Sequence, residues 1–401
     1  MKPIPYGRQN ITQEDINAVT KVLQSDYLTQ GPKIDEFEQH FAEYVGARYA
    51  VAVANGTAAL HLCTLAMNVK SGDRVITTPI TFAASANCVR YTGGEVVFSD
   101  IDPATYLLDL KKVEEILKKA PTGTYKGIIP VDFAGRAVNM EELKKLADKY
   151  NCWIIEDSCH APGGYFVDSK MEKQHCGNGS FSDLSIFSLH PVKHIAAGEG
   201  GVITTNNEKL YKKLISLRTH GIIKEQNNFQ NSIEIAYGSQ INAEKQTLTT
   251  FPKWYYEMQE LGFNYRLTDF QAALGISQLK RAENGLSRRK EIAQIYYEAF
   301  NGKPFVKGQS GVPEGHAFHL YIIEVEDRKG LYEYLRENNI FAQIHYVPVH
   351  LMPYYKKFGW KLGDFPVAEN YYSRCISLPI FPTLTKKEQK YIINKIHSFY
   401  E

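Results

Sequence analysis

No apolar run in this 401-residue chain approaches the ~18–20 residues that cross a bilayer. The N-terminal MKPIPYGRQN also lacks the apolar stretch of a secretory signal. A cytoplasmic protein is therefore expected, with no membrane among its partners. Cysteine is sparse and dispersed: Cys63, Cys88, Cys152, Cys159, Cys176 and Cys375 include no C-x-x-C pair. That pattern supports neither a zinc site nor a disulfide framework, and reduced thiols are the simpler expectation. An excess of charge of one sign is missing too, since 46 Lys+Arg against 44 Asp+Glu leave +2. So small a balance gives no electrostatic footprint for nucleic acid. With 44% hydrophobic and 22% charged residues, the composition is that of a globular chain. Its length can bury a large core without staples.

After a helical pattern at about 12–25, short apolar runs alternate with helical ones: YAVAVA, RVITTP, EVVFSD, GIIPVD, WIIED, LSIFSL and GVITT. Continuous apolar strands separated by helices predict an α/β fold, with a largely parallel sheet covered on both faces. The 223–250 segment, rich in Asn and Gln, reads as a long loop. A long helical stretch at about 268–300 then leads to a smaller α+β unit. There HAFHLYIIEV and FAQIHYVPV read as strands, and 328–338 and 384–399 as helices. The expected division is 1–260, an N-terminal segment and large α/β domain, and 261–401, a connecting helix and small C-terminal domain.

Three motifs carry chemistry. Asn55-Gly56-Thr57 lies between a buried strand and a helix, where backbone N–H groups can approach an anion and Thr57 adds a hydroxyl. Taken alone it is more often an ordinary βα turn. Glu156-Asp157 closes WIIED, and strand carboxyl ends are where open parallel sheets bind ligands. Two acids there suit a metal, acid–base work or a cationic ring nitrogen, with a helix cap as the bland alternative. His160 beside them reads as a packed supporting group. Ser188-Leu-His190-Pro-Val-Lys193 precedes Gly198-Glu199-Gly200-Gly201. A lysine desolvated there would have a lowered pKa and a free amine for attack on a carbonyl, although most lysines are solvated.

Jointly the motifs supply a phosphate cradle, a strand-end carboxylate and a Schiff-base lysine, which is the set that pyridoxal 5'-phosphate (PLP) requires. Phe82 in PITFAASAN can stack on the cofactor ring or belong to the core. His345 and Tyr346 can grip a sugar or simply end a strand. His345 and His350 lack a third ligand at informative spacing, so no metal is expected.

NGTAAL, PITFAASAN, EDSCHA, FSLHPVKHIAAGEGG and GFNYRLTDFQAALGISQL make the chain resemble the DegT/DnrJ/EryC1/StrS sugar aminotransferases, of PLP-dependent fold type I. Ala196 and Ala197 stand where many relatives carry hydroxyl residues. PITF, LTQGP, CGNG and FAQIHYVPVH resemble more narrowly the branch acting in pseudaminic acid biosynthesis. That branch uses L-glutamate to aminate C4 of a UDP-linked 4-keto-6-deoxy-N-acetylhexosamine. The resemblance implies that Lys193 forms the Schiff base and moves protons, and that Asp157 pairs with the pyridine nitrogen. It also implies that Gly56, Thr57 and Ser188 hold the phosphate, with Phe82 and His160 beside the ring. Asn264 would reach in from the neighbouring subunit of a homodimer, with Arg266 a lesser candidate. Substrate contacts map to Tyr6, to Asp26, Tyr27, Leu28 and Thr29, and to Phe318, His319, Leu320 and Tyr321. Three alternatives are an aminotransferase for another nucleotide-linked keto sugar, a PLP-dependent sugar dehydratase, which in this family carries histidine at the lysine position, and a non-catalytic PLP or nucleotide-sugar sensor.

Overall fold

The computed structural model describes residues 2–238 and 250–401. All seven apolar runs form strands of one sheet: β1 (Tyr49–Val53), β2 (Arg74–Thr77), β3 (Glu95–Phe98), β4 (Tyr125–Ile129), β5 (Trp153–Asp157), β6 (Leu184–Ser188) and β7 (Gly201–Thr205). Their spatial order is β1-β7-β6-β5-β4-β2-β3. β7 runs antiparallel to both neighbours, and the other pairings are parallel. Alternate residues point to opposite faces. Val51, Val53, Ile186 and Ile203 join the core beneath the Gly56–Ala66 and Met140–Tyr150 helices. Ala50, Ala52, Phe187 and Val202 instead pack against Phe37, Phe41 and Ile276 on the other face. Both faces are covered, so the strands had to be apolar throughout.

The smaller unit is an antiparallel sheet of Val306–Gln309, Tyr321–Val325 and Cys375–Leu378. It packs with the Ala282–Phe300, Arg328–Glu337 and Lys386–Tyr400 helices around Tyr296, Tyr321 and Ile376. The helix expected over 268–300 is two, Asp269–Leu279 and Ala282–Phe300. They part at Lys280–Arg281, where Arg281 turns its guanidinium to Asp15 and to the Asn10 carbonyl. Asp269–Leu279 packs on the helices Gln13–Leu23 and Pro32–Val45, so the chain stays with the larger unit beyond residue 260. At the other end Ile4–Pro5 pairs with Ile340–Phe341, on the smaller unit's side.

Two expected strands are shortened. HAFHLYIIEV becomes regular only at Tyr321, because Ala317 N–H and Leu320 N–H donate instead to the carbonyls of Gly135 and Ala134 in the larger unit. FAQIHYVPV is strand only at Phe341, after which Gln343 bridges Ser377. The 223–250 segment is more structured than a bare loop. Ile222–Ile223 pairs with Glu257–Met258, and Ile233–Tyr237 is helical. The Glu257 carboxylate accepts the N–H groups of Gln230 and Asn231, which ties the segment down. Residues 239–249 of that expected loop lie outside the described residues. All six cysteines are unpaired. Among the described residues, no helix is long and apolar enough to cross a membrane.

Below the sheet's working edge lies a buried pair, Asp132 and Glu156, with the Cys176 thiol beside it; their ligating atoms fall within 4.8 Å of one another. Asp132 accepts from Ser158 Oγ and Val138 N–H, and Glu156 from Ser185 Oγ and Gly177 N–H. Burial raises both carboxyl pKa values, and repulsion from Glu156 raises that of Asp132 further. Both shifts favour a proton held at the pair in the fold. A carboxyl with a raised folded pKa stabilises most below its unfolded pKa and loses that contribution as pH rises through the folded one. Asp132→Asn, isosteric and without that titration, should remove this contribution, so that the wild-type melting temperature relative to the variant's should fall from pH 5 to pH 8. The expected difference is roughly 2–4 °C per kcal/mol of linkage, measured by thermal denaturation across that range. A difference unchanged with pH would rule out that proton.

Candidate active site

The carboxyl ends of β1, β2, β5 and β6 open on one edge of the sheet, where chemistry collects in such folds. A cavity of about 820 Å³ lies there. Its lining brings Gly56, Thr57, Phe82, Asp157, His160, Ser188 and Lys193 together, with Tyr6 and His319 from the expected substrate set.

The Gly56–Ala66 helix begins at Asn55, whose side chain caps Ala58 N–H at 2.8 Å. The N–H groups of Gly56 and Thr57 are left at a positive helix end without helical partners. A Cβ at Gly56 would stand 3.2 Å from Ser188 Cβ, so glycine keeps this cradle open. Asp157, 5% exposed, accepts from Ser85 Oγ at 2.7 Å and from Cys159 N–H at 3.2 Å. Ser85 Oγ is itself 2.8 Å from Thr81 Oγ, and this chain of hydroxyls fixes the carboxylate's orientation. Of the two neighbouring acids only Asp157 lines the cavity, while Glu156 bonds Ser185 and Gly177 away from it. Strand alternation separates them.

Lys193 Nζ lies 3.4 Å from His319 Nε2. Burial lowers the lysine pKa, partly offset by Cys159 and Asp157. Burial also drives His319 and His160 well below the usual imidazole range, with Lys193 adding to both shifts, so each ring is neutral at pH 7. His160 packs its ring 4.3 Å from that of His319. Its Nδ1 accepts Ala134 N–H, and its Nε2 meets Tyr346 OH at 3.3 Å. Phe82, 62% exposed, stands at the cavity beside Tyr346, with ring centroids 6.3 Å apart. His345 and Tyr346 also line the cavity.

Several expected contacts lie elsewhere. Phe318 and Tyr321 are buried in the small unit's core, and Leu320 is buried in the large one's. Of that tetrapeptide only His319 reaches the cavity, because its neighbours are spent on packing the two units together. Asp26, Tyr27, Leu28 and Thr29 do not line this chain's cavity: Leu28 accepts Asp269 N–H, and Thr29 bridges Thr268. Asn264 is exposed and bridges Thr219, and Arg266 bridges Val53; neither lines the cavity. Ser85, Thr81, Tyr265 and His61 also line the cavity, and none of them belongs to the set expected from the sequence. His61 follows Thr57 by four residues and so shares its helix face, a signal that was readable. Its Nδ1 lies 3.2 Å from Tyr265 OH.

A helix terminus for phosphate, an oriented buried carboxylate and a desolvated lysine on one wall fit PLP. The fold and site together define a PLP-dependent enzyme of fold type I. The chain belongs to the DegT/DnrJ/EryC1/StrS aminotransferase family, whose model matches residues 9–397. It is 36% identical over 99% of its length and 98% of the other's to a Campylobacter jejuni UDP-4-amino-4,6-dideoxy-N-acetyl-beta-L-altrosamine transaminase. It is 37% identical, over 98% of its length and 96% of the other's, to Bacillus subtilis spore coat polysaccharide biosynthesis protein SpsC. Helicobacter pylori PseC, described as an aminotransferase of pseudoaminic acid biosynthesis, superposes with TM-score 0.84 at 29% identity, covering 100% and 99% of the two chains. The PLP form of the putative sugar aminotransferase Spr1654 from Streptococcus pneumoniae gives TM-score 0.85 at 27% identity, covering 99% and 98%. The protein is a PLP-dependent sugar aminotransferase.

Proposed function

We propose that this enzyme transfers the amino group of L-glutamate to C4 of a UDP-linked 4-keto-6-deoxy-N-acetylhexosamine, the reaction of pseudaminic acid biosynthesis. One observation carries the catalytic part: Lys193, Asp157 and the Gly56–Thr57 helix terminus share one cavity. The likeness to the Campylobacter transaminase supports the choice of sugar. Bound PLP supplies a carrier for the amino group and an electron sink.

The chain's own residues do the rest. Gly56, Thr57 and Ser188 hold the phosphate, and the Asp157 carboxylate keeps a proton on the ring nitrogen. Lys193 Nζ removes the proton from the α-carbon of glutamate and later delivers one to C4 of the sugar. Neutral His319 accepts a hydrogen bond from that amine and fixes its position. Tyr6 and His319 face the sugar, and a second copy of the chain contributes Asn264, which is exposed in a single chain.

Because the amino group rests on the enzyme between two half-reactions, the kinetics are ping-pong. Varying glutamate and keto sugar should give parallel double-reciprocal lines, with 2-oxoglutarate formed in step with amino sugar. Intersecting lines, or 2-oxoglutarate without sugar amination, would contradict the proposal.

A further inference from the structure

The main cavity has a deficiency. Among the described residues of one chain, its only lysine or arginine is Lys193, and it also carries Asp157 and Glu199. A nucleotide sugar brings a diphosphate, and among those described residues none holds a permanent cation for it.

A second cavity of about 360 Å³ adjoins the first across Lys193. It is lined by Arg8, Arg281, Arg288 and Arg289 together with Lys193 and His194, and no carboxylate among the described residues lines it. Two of these cations are matched nearby, Arg281 by Asp15 and Arg288 by Glu291. Arg289 is not. It is 1% exposed, its Nη1 donates to the carbonyls of Phe318, His319 and Ile380, and its Nε has no partner among the described residues. Burial lowers its pKa to about 10, which reports how poorly its charge is solvated. His194 Nδ1 is likewise buried without a partner. Arg8 sits 5.5 Å over the Phe381 ring, two residues beyond Tyr6, so one short arm lines both cavities. A buried guanidinium with spare donors and no counter-charge is costly unless an anion meets it.

We propose that this second cavity is a phosphoryl-oxyanion site, held by Arg8, Arg288 and Arg289. Its occupant is either the diphosphate of the sugar nucleotide or free phosphate, and the first assignment rests on the function proposed above. Guanidinium forks suit phosphate oxygens, which they bind through paired hydrogen bonds.

The test is calorimetric titration of the PLP-loaded enzyme with pyrophosphate, UDP and uridine, in wild type, Arg8→Gln and Arg288→Gln. Arg8 is exposed, so its replacement should leave the fold intact. Each variant should weaken pyrophosphate and UDP by ~10–100-fold, as loss of a charged hydrogen bond would, with uridine unaffected. Displacement of pyrophosphate by UDP assigns the site to the substrate's diphosphate, and simultaneous binding assigns it to free phosphate. No pyrophosphate binding in the millimolar range, or equal affinity in wild type and both variants, overturns the site. Neither glutamate nor keto sugar enters the titration. Failure of amino transfer alongside intact, arginine-dependent pyrophosphate binding would therefore fall on the proposed reaction and not on this site.

Discussion

Replacing Lys193 by alanine should lower turnover by at least ~10⁴-fold, the scale expected when a single group serves as nucleophile and proton carrier. The chain should stay folded. Among the described residues Lys193 Nζ has one hydrogen-bond partner, His319 Nε2 at 3.4 Å, so truncation removes little that holds the fold together. What it removes is the amine that burial has brought below the usual lysine range. Lys193→Arg should fail as badly, since a guanidinium keeps its proton and cannot cycle it. Steady-state rates of 2-oxoglutarate release, with circular dichroism to verify folding, measure both. A small added amine such as methylamine should restore part of the Lys193→Ala rate if the missing function is proton transfer. Retention of more than a few per cent of activity in Lys193→Ala would refute the role.

Asp157→Asn should reduce kcat by about 10²–10³-fold, the usual loss when one preorganised electrostatic partner is removed. The substitution is nearly silent in structure. Asparagine Oδ1 can still accept Cys159 N–H, and the amide can still meet Ser85. The negative charge disappears, and with it the proton on the cofactor's ring nitrogen, so electron withdrawal weakens in both half-reactions. KM for glutamate should change much less than kcat, because the carboxylate faces the ring and not the donor. Stopped-flow traces of the glutamate half-reaction separate the two effects. A variant that binds PLP normally and reacts at the wild-type rate would exclude the charge as the operative feature.

Much of this was legible before the structure. The seven strands follow directly from apolar runs, because a sheet covered on both faces demands them; Asp157 and Ser188 end two of those runs, and Gly56 and Lys193 follow shortly after others end. Less legible was anything that depends on packing between distant segments. Phe318, Leu320 and Tyr321 flank a site residue in sequence, yet they point into the cores of the two units. Ser85 supports Asp157 from 72 positions away, and periodicity along one helix carries no trace of that bond. The break at Lys280–Arg281 depends on Asp15 and Asn10, far earlier in the chain. Three of the second cavity's arginines, Arg281, Arg288 and Arg289, fall within the expected 268–300 helical stretch, where nothing in the sequence separates a buried cation from a solvated one. In the fold Arg289 is buried, with carbonyl groups around it.

The central claim is that PLP attaches covalently to Lys193. Borohydride reduction of the PLP-loaded enzyme, followed by peptide mass spectrometry, tests it directly. The account predicts a pyridoxyl-phosphate adduct on the peptide containing Lys193 and none in Lys193→Ala. An adduct on another lysine, or none in wild-type protein that retains PLP, would contradict it.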